Sequence, residues 1–213
     1  MIPKKSPPTV FVVDDEESVR SSLRFLLRSV GLESHAFGSA PEFLAAYDPA
    51  QPGCLVLDVR MPGMSGLELQ QELNVRGAII PVVFITGHGD VPMAVEAMQH
   101  GAHDFLQKPF RDEELIERVK RALAKDAKTR AGLEEHQSIR ERLDSLTPRE
   151  RQVLALMARG KPNKVMAYEL GLSQRTVEIH RARVMEKSGA SSVAELVRMV
   201  MDVEPQLAPS AHD

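Results

Sequence analysis

Five side chains that could handle a phosphoryl group and a cation each follow a short apolar run: Asp14, Asp15, Asp58, Thr86 and Lys108. If these runs are strands of a parallel sheet, their carboxyl ends open on one edge, where three carboxylates, a hydroxyl and an ammonium group converge. Three ionised carboxylates can share a small volume only when a cation joins them. Because the candidate ligands are all oxygens, that cation is a hard metal, and magnesium suits a site that also handles phosphate. Lys108 supplies a second positive charge for an incoming phosphoryl group.

The elements that must position these residues are βα repeats within residues 1–125. Five runs predict strands, at Thr9–Val13, Glu33–Phe37, Cys54–Leu57, Val82–Ile85 and Asp104–Leu106. Stretches of helical periodicity lie between them, and the alternation predicts an α/β doubly wound five-stranded parallel sheet. Taken singly, Asp14 and Asp15 could cap the next helix, and Asp58 and Thr86 could be turn residues. Their joint occurrence, each at a strand end, favours the site.

The rest of the chain has helical signals. Residues 126–145 are charged, lack proline and predict a partly exposed helical linker, in which Gly132 could introduce a kink. Four further helical signals follow, opened by the capping box Thr147-Pro-Arg-Glu. The predicted organisation is a first domain at 1–125, the linker at 126–145, an all-α four-helix helix-turn-helix domain at 146–203 and a disordered tail at 204–213.

Charge is divided between the two parts of the chain. Between Thr147 and Val200 there are ten Lys and Arg but only five Asp and Glu, a formal charge of +5, which leaves −8 elsewhere in a chain of net −3. The basic part suits a polyanionic partner such as nucleic acid. No apolar run approaches the ~20 residues that span a bilayer, so we expect a cytoplasmic protein without a membrane partner. The one cysteine, Cys54, lies in an apolar run and predicts a buried free thiol.

About the first 125 residues resemble a response-regulator receiver domain. The resemblance rests on Val12-Val-Asp-Asp-Glu, Leu57-Asp-Val-Arg-Met-Pro-Gly-Met-Ser-Gly, Phe84-Ile-Thr-Gly-His-Gly-Asp and Phe105-Leu-Gln-Lys-Pro-Phe. It implies that Asp58 accepts a phosphoryl group from a sensor histidine kinase. It also implies that Asp15, Asp58 and the backbone carbonyl of Arg60 ligate Mg²⁺, with Asp14 acting mainly through water.

The same resemblance implies a switch. Thr86 and Lys108 would contact the phosphoryl oxygens, and the Lys108–Pro109 bond would be cis. Phe105 matches the aromatic switch position, although the usual tyrosine is absent and a core aromatic fits this strand almost as well. Phosphorylation gives Asp58 roughly one further negative charge, and inward movement of the Thr86 loop would free space for Phe105. We therefore expect phosphorylation to promote a homodimer through the face containing the fourth helix and fifth strand, roughly Val91–Phe105.

Residues 146–200 resemble the LuxR-type DNA-binding module. The matching motifs are Leu146-Thr-Pro-Arg-Glu-Arg-Gln-Val-Leu, Gly160-Lys-Pro-Asn-Lys, Ala167-Tyr-Glu-Leu-Gly-Leu-Ser and Arg175-Thr-Val-Glu-Ile-His-Arg. Two helices separated by Gly171-Leu-Ser make the helix-turn-helix, with Gln174–Lys187 as the recognition helix. Val177, His180 and Val184 form one stripe that should face the core, which makes His180 structural.

The expected DNA-binding residues are Lys164, Arg175, Thr176, Glu178, Ile179, Arg181, Arg183 and Lys187. Among them, the lysines together with Arg175 and Arg181 are expected to contact phosphates. Two features depart from the module. Glu178 and Ala182 stand where some members have lysines, and Ser188 and Ala190 stand where larger apolar residues are usual.

A receiver, a helical linker and a LuxR-type module together resemble the FixJ/NarL group, and Thr86-Gly-His-Gly-Asp-Val-Pro-Met-Ala-Val favours its FixJ-like, StyR-like branch. The resemblance implies a phosphorylation-dependent DNA-binding transcriptional regulator. Its output is not enzymatic, although the receiver assists its own phosphotransfer and dephosphorylation. The partners implied are a sensor histidine kinase, double-stranded promoter DNA and RNA polymerase.

Three other classes of protein share part of this pattern. A haloacid-dehalogenase-type enzyme would need a second acid two residues after the nucleophile, where this chain has Arg60. A small-molecule-sensing LuxR-type regulator would lack the strand-end set of acids, Thr86 and Lys108. A receiver used only for protein interaction would lack residues 146–200. None of them accounts for both parts of the chain.

Overall fold

A computed structural model describes residues 7–87 and 91–205, which form two compact units that divide after Arg130. The strands of the first unit are β1 (Thr9–Val13), β2 (Glu33–Phe37), β3 (Gly53–Asp58), β4 (Val82–Thr86) and β5 (Asp104–Gln107). Its helices are α1 (Glu17–Ser29), α2 (Ala40–Ala46), α3 (Gly66–Val75), α4 (Val91–Gln99) and the first part of α5 (Asp112–Asp144).

All neighbouring strands are parallel, in the order β2-β1-β3-β4-β5. The predicted doubly wound sheet is therefore confirmed, and each strand lies within one residue of its predicted bounds. The order reverses between β1 and β3, so the crevice at this switch point opens beyond the carboxyl ends of the two strands that precede Asp14 and carry Asp58.

The central strands β1, β3 and β4 are buried along their whole length. Because successive side chains point to opposite faces, they contribute to two cores. Phe11, Leu55 and Phe84 join side chains of α2 and α3 on one face. Val10 and Cys54 join α1 and α5 on the other.

Cys54 has no exposed surface and its thiol is free, as predicted. Burial raises the pKa of the thiol to about 12, and the negative charge of Asp126 adds to the shift. At neutral pH the side chain is therefore an un-ionised apolar group of the core.

Helix α5 runs for 33 residues from Asp112 to Asp144. It continues through Gly132, so this glycine does not end the helix. The predicted linker is the second part of this helix, and it is largely exposed until Ile139, as expected.

Two residues of α5 form hydrogen bonds with the segment that leads into β3. The buried carboxylate of Asp126 accepts a hydrogen bond from the backbone N–H of Gly53 (2.9 Å) and pairs with Nε of Arg130 (2.8 Å). Arg130 also donates to the carbonyl oxygens of Pro49 (2.9 Å) and Gln51 (3.0 Å). We call this arrangement the Asp126–Arg130 clasp. It places residues 126–130 with the first unit, just beyond the predicted domain boundary at 125.

The second unit contains the end of α5 and four helices: α6 (Pro148–Ala158), α7 (Asn163–Leu170), α8 (Gln174–Ser188) and α9 (Val193–Val203). Their apolar faces enclose one core, which Ile139, Leu143 and Leu146 enter from the preceding segment. The predicted four-helix domain is confirmed.

Local signals set the ends of these helices. Both hydrogen bonds of the Thr147–Glu150 capping box are present, and Ser173 and Ser192 cap α8 and α9. Gly171 ends α7 with φ of 64°, in the left-handed region that glycine occupies without strain. The resulting turn joins α7 to α8.

The first residue of the predicted tail at 204–213 contacts this unit. Glu204 pairs with Arg151 of α6, with 3.0 Å between Oε1 and Nη1. Residues 206–213 lie outside the described part of the chain. Within residues 7–87 and 91–205, no helix has the length and apolar character needed to cross a membrane.

Candidate phosphorylation site and nucleic-acid interface

Asp14 and Asp15 follow β1 and differ in exposure. Asp14 is buried; its Oδ1 accepts from the N–H of Glu16 (2.9 Å) and its Oδ2 accepts from Nζ of Lys108 (2.9 Å). Asp15 is exposed. The first carboxylate is thus fixed inside the site, while the second is open to solvent.

Asp58 is the last residue of β3 and is mostly buried. Its Oδ2 accepts from the N–H of Arg60 (2.8 Å), and its Oδ1 lies 3.2 Å from Nζ of Lys108. Gly66, at the start of α3, passes so close that a Cβ there would lie 2.2 Å from the carbonyl oxygen of Asp58. Only glycine permits this approach of α3 to the strand end.

Lys108 joins the two buried carboxylates, since one ammonium group contacts both Asp14 and Asp58. Burial raises the pKa of Asp58, and the charge of Lys108 and the N–H of Arg60 oppose that rise. For Lys108, burial favours the neutral form, but the bonds and charges of Asp14 and Asp58 outweigh it and raise the pKa. Lys108 therefore stays protonated and positively charged in this site.

Thr86 and Lys108 are neighbours at the ends of β4 and β5, where the backbone N–H of Lys108 donates to the carbonyl of Thr86 (2.8 Å). Thr86 is buried. Phe105 is partly buried, with its ring centroid 6.4 Å from that of Phe84. The Lys108–Pro109 bond is cis, as expected. Residues 88–90, which continue the Thr86 motif, lie outside the described residues.

The arrangement suits a hard cation. Asp14 and Asp58 converge on one positive group, the ammonium of Lys108, and Asp15 and the backbone carbonyl of Arg60 lie within two residues of them in the sequence. No three His, Cys, Asp or Glu residues of the described segments form a metal-ligand group. An all-oxygen donor set of this kind fits Mg²⁺.

The second unit presents an exposed surface along α8. Arg175, Glu178, Ala182 and Arg183 are exposed, and Ile179 keeps 48% of its surface accessible. Thr176 is partly buried beside Ser173, with 2.8 Å between their hydroxyl oxygens, and Arg181 is partly buried. On the opposite side, Val177 and Val184 are buried. This is the division of faces that the spacing predicted.

His180 is only partly buried, and its Nδ1 is enclosed without a hydrogen-bond partner among the described residues. It lies on the core side of α8 with Val177 and Val184, in agreement with a structural role.

Lys187 has partners within its own unit. Its ammonium group pairs with the buried carboxylate of Glu150 (2.7 Å) and donates to the carbonyl of Ser145 (3.2 Å). These contacts link α8 to the start of α6, and the expected phosphate contact of Lys187 stays a prediction.

Two residues near these sites were not found from the sequence. Tyr168 of α7 is 90% exposed one helical turn after the exposed Lys164, so both lie on one face beside the turn into α8. The i, i+4 spacing was the available signal. Arg20 of α1 contacts the loop that carries Asp14 and Asp15, and a lone arginine in a helix gives no such signal.

Known families and proteins match both units. Residues 10–120 match the response regulator receiver domain, and residues 144–200 match the bacterial regulatory proteins of the luxR family. The chain is 51% identical over 192 residues to the transcriptional regulatory protein FixJ of Azorhizobium caulinodans, covering 90% of this chain and 91% of that protein. It is 43% identical over 198 residues to the response regulator protein TodT of Pseudomonas putida, covering 93% and 87%.

Solved structures match over most of the chain. The response regulator StyR has a TM-score of 0.84 at 49% identity, covering 92% of this chain and 98% of that one. Full-length FixJ from B. japonicum has a TM-score of 0.58 at 42% identity, covering 93% and 98%.

A βα unit with an acidic, lysine-bridged strand edge and a helix-turn-helix unit define a DNA-binding transcriptional regulator whose switch is phosphorylation. The chain belongs to the response regulators in which a receiver domain is followed by a LuxR-family DNA-binding domain. This family membership implies a histidine kinase and DNA as partners, and its output is regulation of transcription.

Proposed function

We propose that Asp58 is the phosphoacceptor and that residues 1–130 act as the receiver. The observation that carries the proposal is the single ammonium group of Lys108 that joins Asp58 to the buried Asp14 at the sheet edge. A side-chain oxygen of Asp58 would attack the phosphorus atom of a kinase phosphohistidine, and the P–N bond would break so that the kinase imidazole leaves. Lys108 would bind the incoming phosphoryl oxygens, and the Thr86 hydroxyl would donate a hydrogen bond to them.

Mg²⁺ would be held by Asp14, Asp15, Asp58 and the backbone carbonyl of Arg60, with Asp14 acting mainly through water. When bound, the ion supplies charge neutralisation for the transferring phosphoryl group. The buried position of Asp58 keeps the acceptor in a defined orientation. The same groups would assist hydrolysis of the acyl phosphate, so the receiver would limit the lifetime of its own signal.

The proposed output domain is residues 146–203, joined to the receiver by the remainder of α5 from residue 131. Lys164, Arg175 and Arg181 would contact phosphates, while Thr176, Glu178, Ile179 and Arg183 face the major groove. Few of these side chains are unambiguous base readers, so phosphate contacts should supply much of the affinity. Two copies on half-sites one helical turn apart would favour an inverted-repeat promoter. We further propose a cytoplasmic location and contact with RNA polymerase.

The test is incubation of the full chain with Mg²⁺ and a small acyl phosphate, followed by intact-mass measurement and DNA binding to selected genomic fragments. Wild type should gain one phosphoryl group and bind DNA about tenfold more tightly. Asp58→Asn should gain no phosphoryl group and should not bind DNA more tightly after the incubation. Asp202→Asn, which removes an exposed aspartate of α9, should match wild type. Undiminished labelling of Asp58→Asn, mapped to another residue, would refute the assignment.

A further inference from the structure

Arg20 of α1 contacts the backbone of both acidic residues after β1. Its Nη1 donates to the carbonyl oxygen of Asp14 (2.7 Å) and to that of Asp15 (2.9 Å), and its Nη2 pairs with Glu17. The Arg20 side chain is only 15% exposed, although it carries a charge. The guanidinium group of Arg20, in the first turns of α1, therefore bonds the backbone carbonyls of two successive residues, Asp14 and Asp15.

The loop before α1 lacks the usual support at a helix start. Glu16 is the N-cap residue of α1 and makes no side-chain capping bond, whereas Ser39 and Ser65 cap α2 and α3. The orphan groups of a helix terminus must find other partners. Here the Asp14 carboxylate accepts from the N–H of Glu16. Arg20 separately donates to the backbone carbonyls of Asp14 and Asp15 in the same loop.

The guanidinium group is itself held in place. A Cβ at Gly38, in the turn after β2, would lie 3.6 Å from Nη1 of Arg20, so this turn covers the group. The backbone N–H of Gly38 donates to Glu42 of α2 (2.8 Å), which fixes the turn. Arg20 is thus enclosed between α1 and the β2–α2 turn.

We propose that Arg20 is a positioning residue for the metal site, acting through Asp15; this rests on the proposed Mg²⁺-dependent phosphorylation. The Asp14 side chain has its own partners in Glu16 and Lys108. The Asp15 carboxylate makes no hydrogen bond within residues 7–87 and 91–205, whereas the backbone carbonyl of Asp15 is restrained by the bond from Arg20. Groups that orient metal ligands commonly contribute 10–100-fold to metal affinity.

The two possible roles of Arg20, as a nearby charge and as a positioning group, predict opposite changes in metal affinity when Arg20 is removed. If only charge mattered, removing a cation near the site would strengthen the binding of a divalent metal. If Arg20 orients Asp15, its removal should weaken that binding. The direction of the change in affinity therefore separates the two effects.

The experiment titrates the full chain with Mn²⁺ alone, as a substitute for Mg²⁺, and measures the free ion by electron paramagnetic resonance. Arg20→Ala should bind Mn²⁺ about tenfold more weakly than wild type. Arg28→Ala, which removes an arginine at the far end of the same helix, should bind like wild type. Unchanged or tighter binding in Arg20→Ala would overturn the proposal.

A double-mutant cycle tests whether the effect passes through Asp15. In an Asp15→Asn background, Arg20→Ala should weaken binding by less than about twofold; the same tenfold loss in both backgrounds would overturn the proposal. If thermal unfolding shows that Arg20→Ala does not fold, Arg20→Lys is used for the Mn²⁺ titration instead. This variant keeps the positive charge but lacks the guanidinium group. About threefold weaker binding would support the role, and wild-type affinity would overturn it. Wild type that binds no Mn²⁺ would instead refute the metal site itself.

Discussion

At the scale of single residues, Glu150 has two partners with different roles. Its Oε2 accepts from the backbone N–H of Thr147 (2.8 Å), which completes the cap of α6, and it also pairs with Lys187 of α8 (2.7 Å). The bond from Lys187, followed by that from the Thr147 backbone, lowers the pKa of Glu150 to about 2. A helix cap has therefore become a link between two helices of the DNA-binding domain.

Glu150→Gln should destabilise this domain by about 1.5–3 kcal/mol at pH 7, because it removes a charge-assisted bond while keeping the shape. The native pKa lies below the ordinary value of 4.5, so the carboxylate contributes fully above about pH 4.5 and its contribution is lost as the pH falls towards 2. The difference in the free energy of unfolding between Glu150→Gln and wild type should therefore shrink as the pH falls from about 4.5 towards 2. Hydrogen exchange of the α6–α9 amides measures it.

Glu195→Gln is the matched control. Glu195 accepts from the N–H of Ser191 (2.8 Å) at the start of α9, but it has no ion pair within the described residues. Its replacement should destabilise the domain clearly less than Glu150→Gln does. Equal losses in the two variants, or a Glu150→Gln loss that stays constant from pH 7 to pH 3, would contradict the role given to Lys187.

Single residues were predictable where the sheet dictates their position. Asp58 and Lys108 could be placed together because parallel strands end on one edge. The spacing places Lys187 on α8 but could not show that Glu150 lies opposite it. Arg20 could not be found, since the two loop groups that it contacts are backbone carbonyls, which the sequence does not identify.

At the scale of elements, the Asp126–Arg130 clasp determines where the receiver ends. The i, i+4 spacing of the two residues predicts a surface pair on a helix. Their partners at residues 49–53 are more than 70 positions away, so the burial of Asp126 could not be predicted. The charged composition after Lys125 indicated a linker, although its first turn is part of the receiver.

Asp126→Ala should destabilise the receiver by about 3 kcal/mol, because it leaves Arg130 unpaired and the N–H of Gly53 unsatisfied. Thermal unfolding and hydrogen exchange at the start of β3 would measure the loss. Lys128→Ala, on the same stretch of α5 and exposed, should stay within about 0.5 kcal/mol of wild type. If both variants melt alike, the clasp does not hold the segment.

At the scale of the whole molecule, the α4 face of the receiver carries exposed apolar side chains. Val95 and Met98 each keep 48% of their surface accessible. On β5, Asp104 pairs with Arg118 and Arg121 of α5, both at 3.3 Å, and places charges beside this face. Apolar residues flanked by ion-pairing groups suit an interface between two copies of the chain.

Sedimentation velocity should show that phosphorylation converts wild type from monomer to dimer, and that Val95→Asp remains monomeric while still accepting phosphate. Val95→Asp should not dimerise, because dimerisation would bury the new carboxylate in an apolar contact, which costs free energy. Val75→Asp is the control, because Val75 is 84% exposed at the end of α3. A phosphorylated wild type that stays monomeric but binds DNA more tightly would indicate release of inhibition instead.

The burial of Cys54 has a practical consequence. The chain has one cysteine, in the middle of the sheet, with an un-ionised and inaccessible thiol. A thiol-specific reagent can therefore modify the native protein only when β3 becomes exposed, and the modification rate reports that opening without any engineered label. The second unit has no thiol to contribute a signal. Labelling kinetics in the presence of a phosphodonor, a kinase or DNA would time the opening of the receiver alone within the intact regulator.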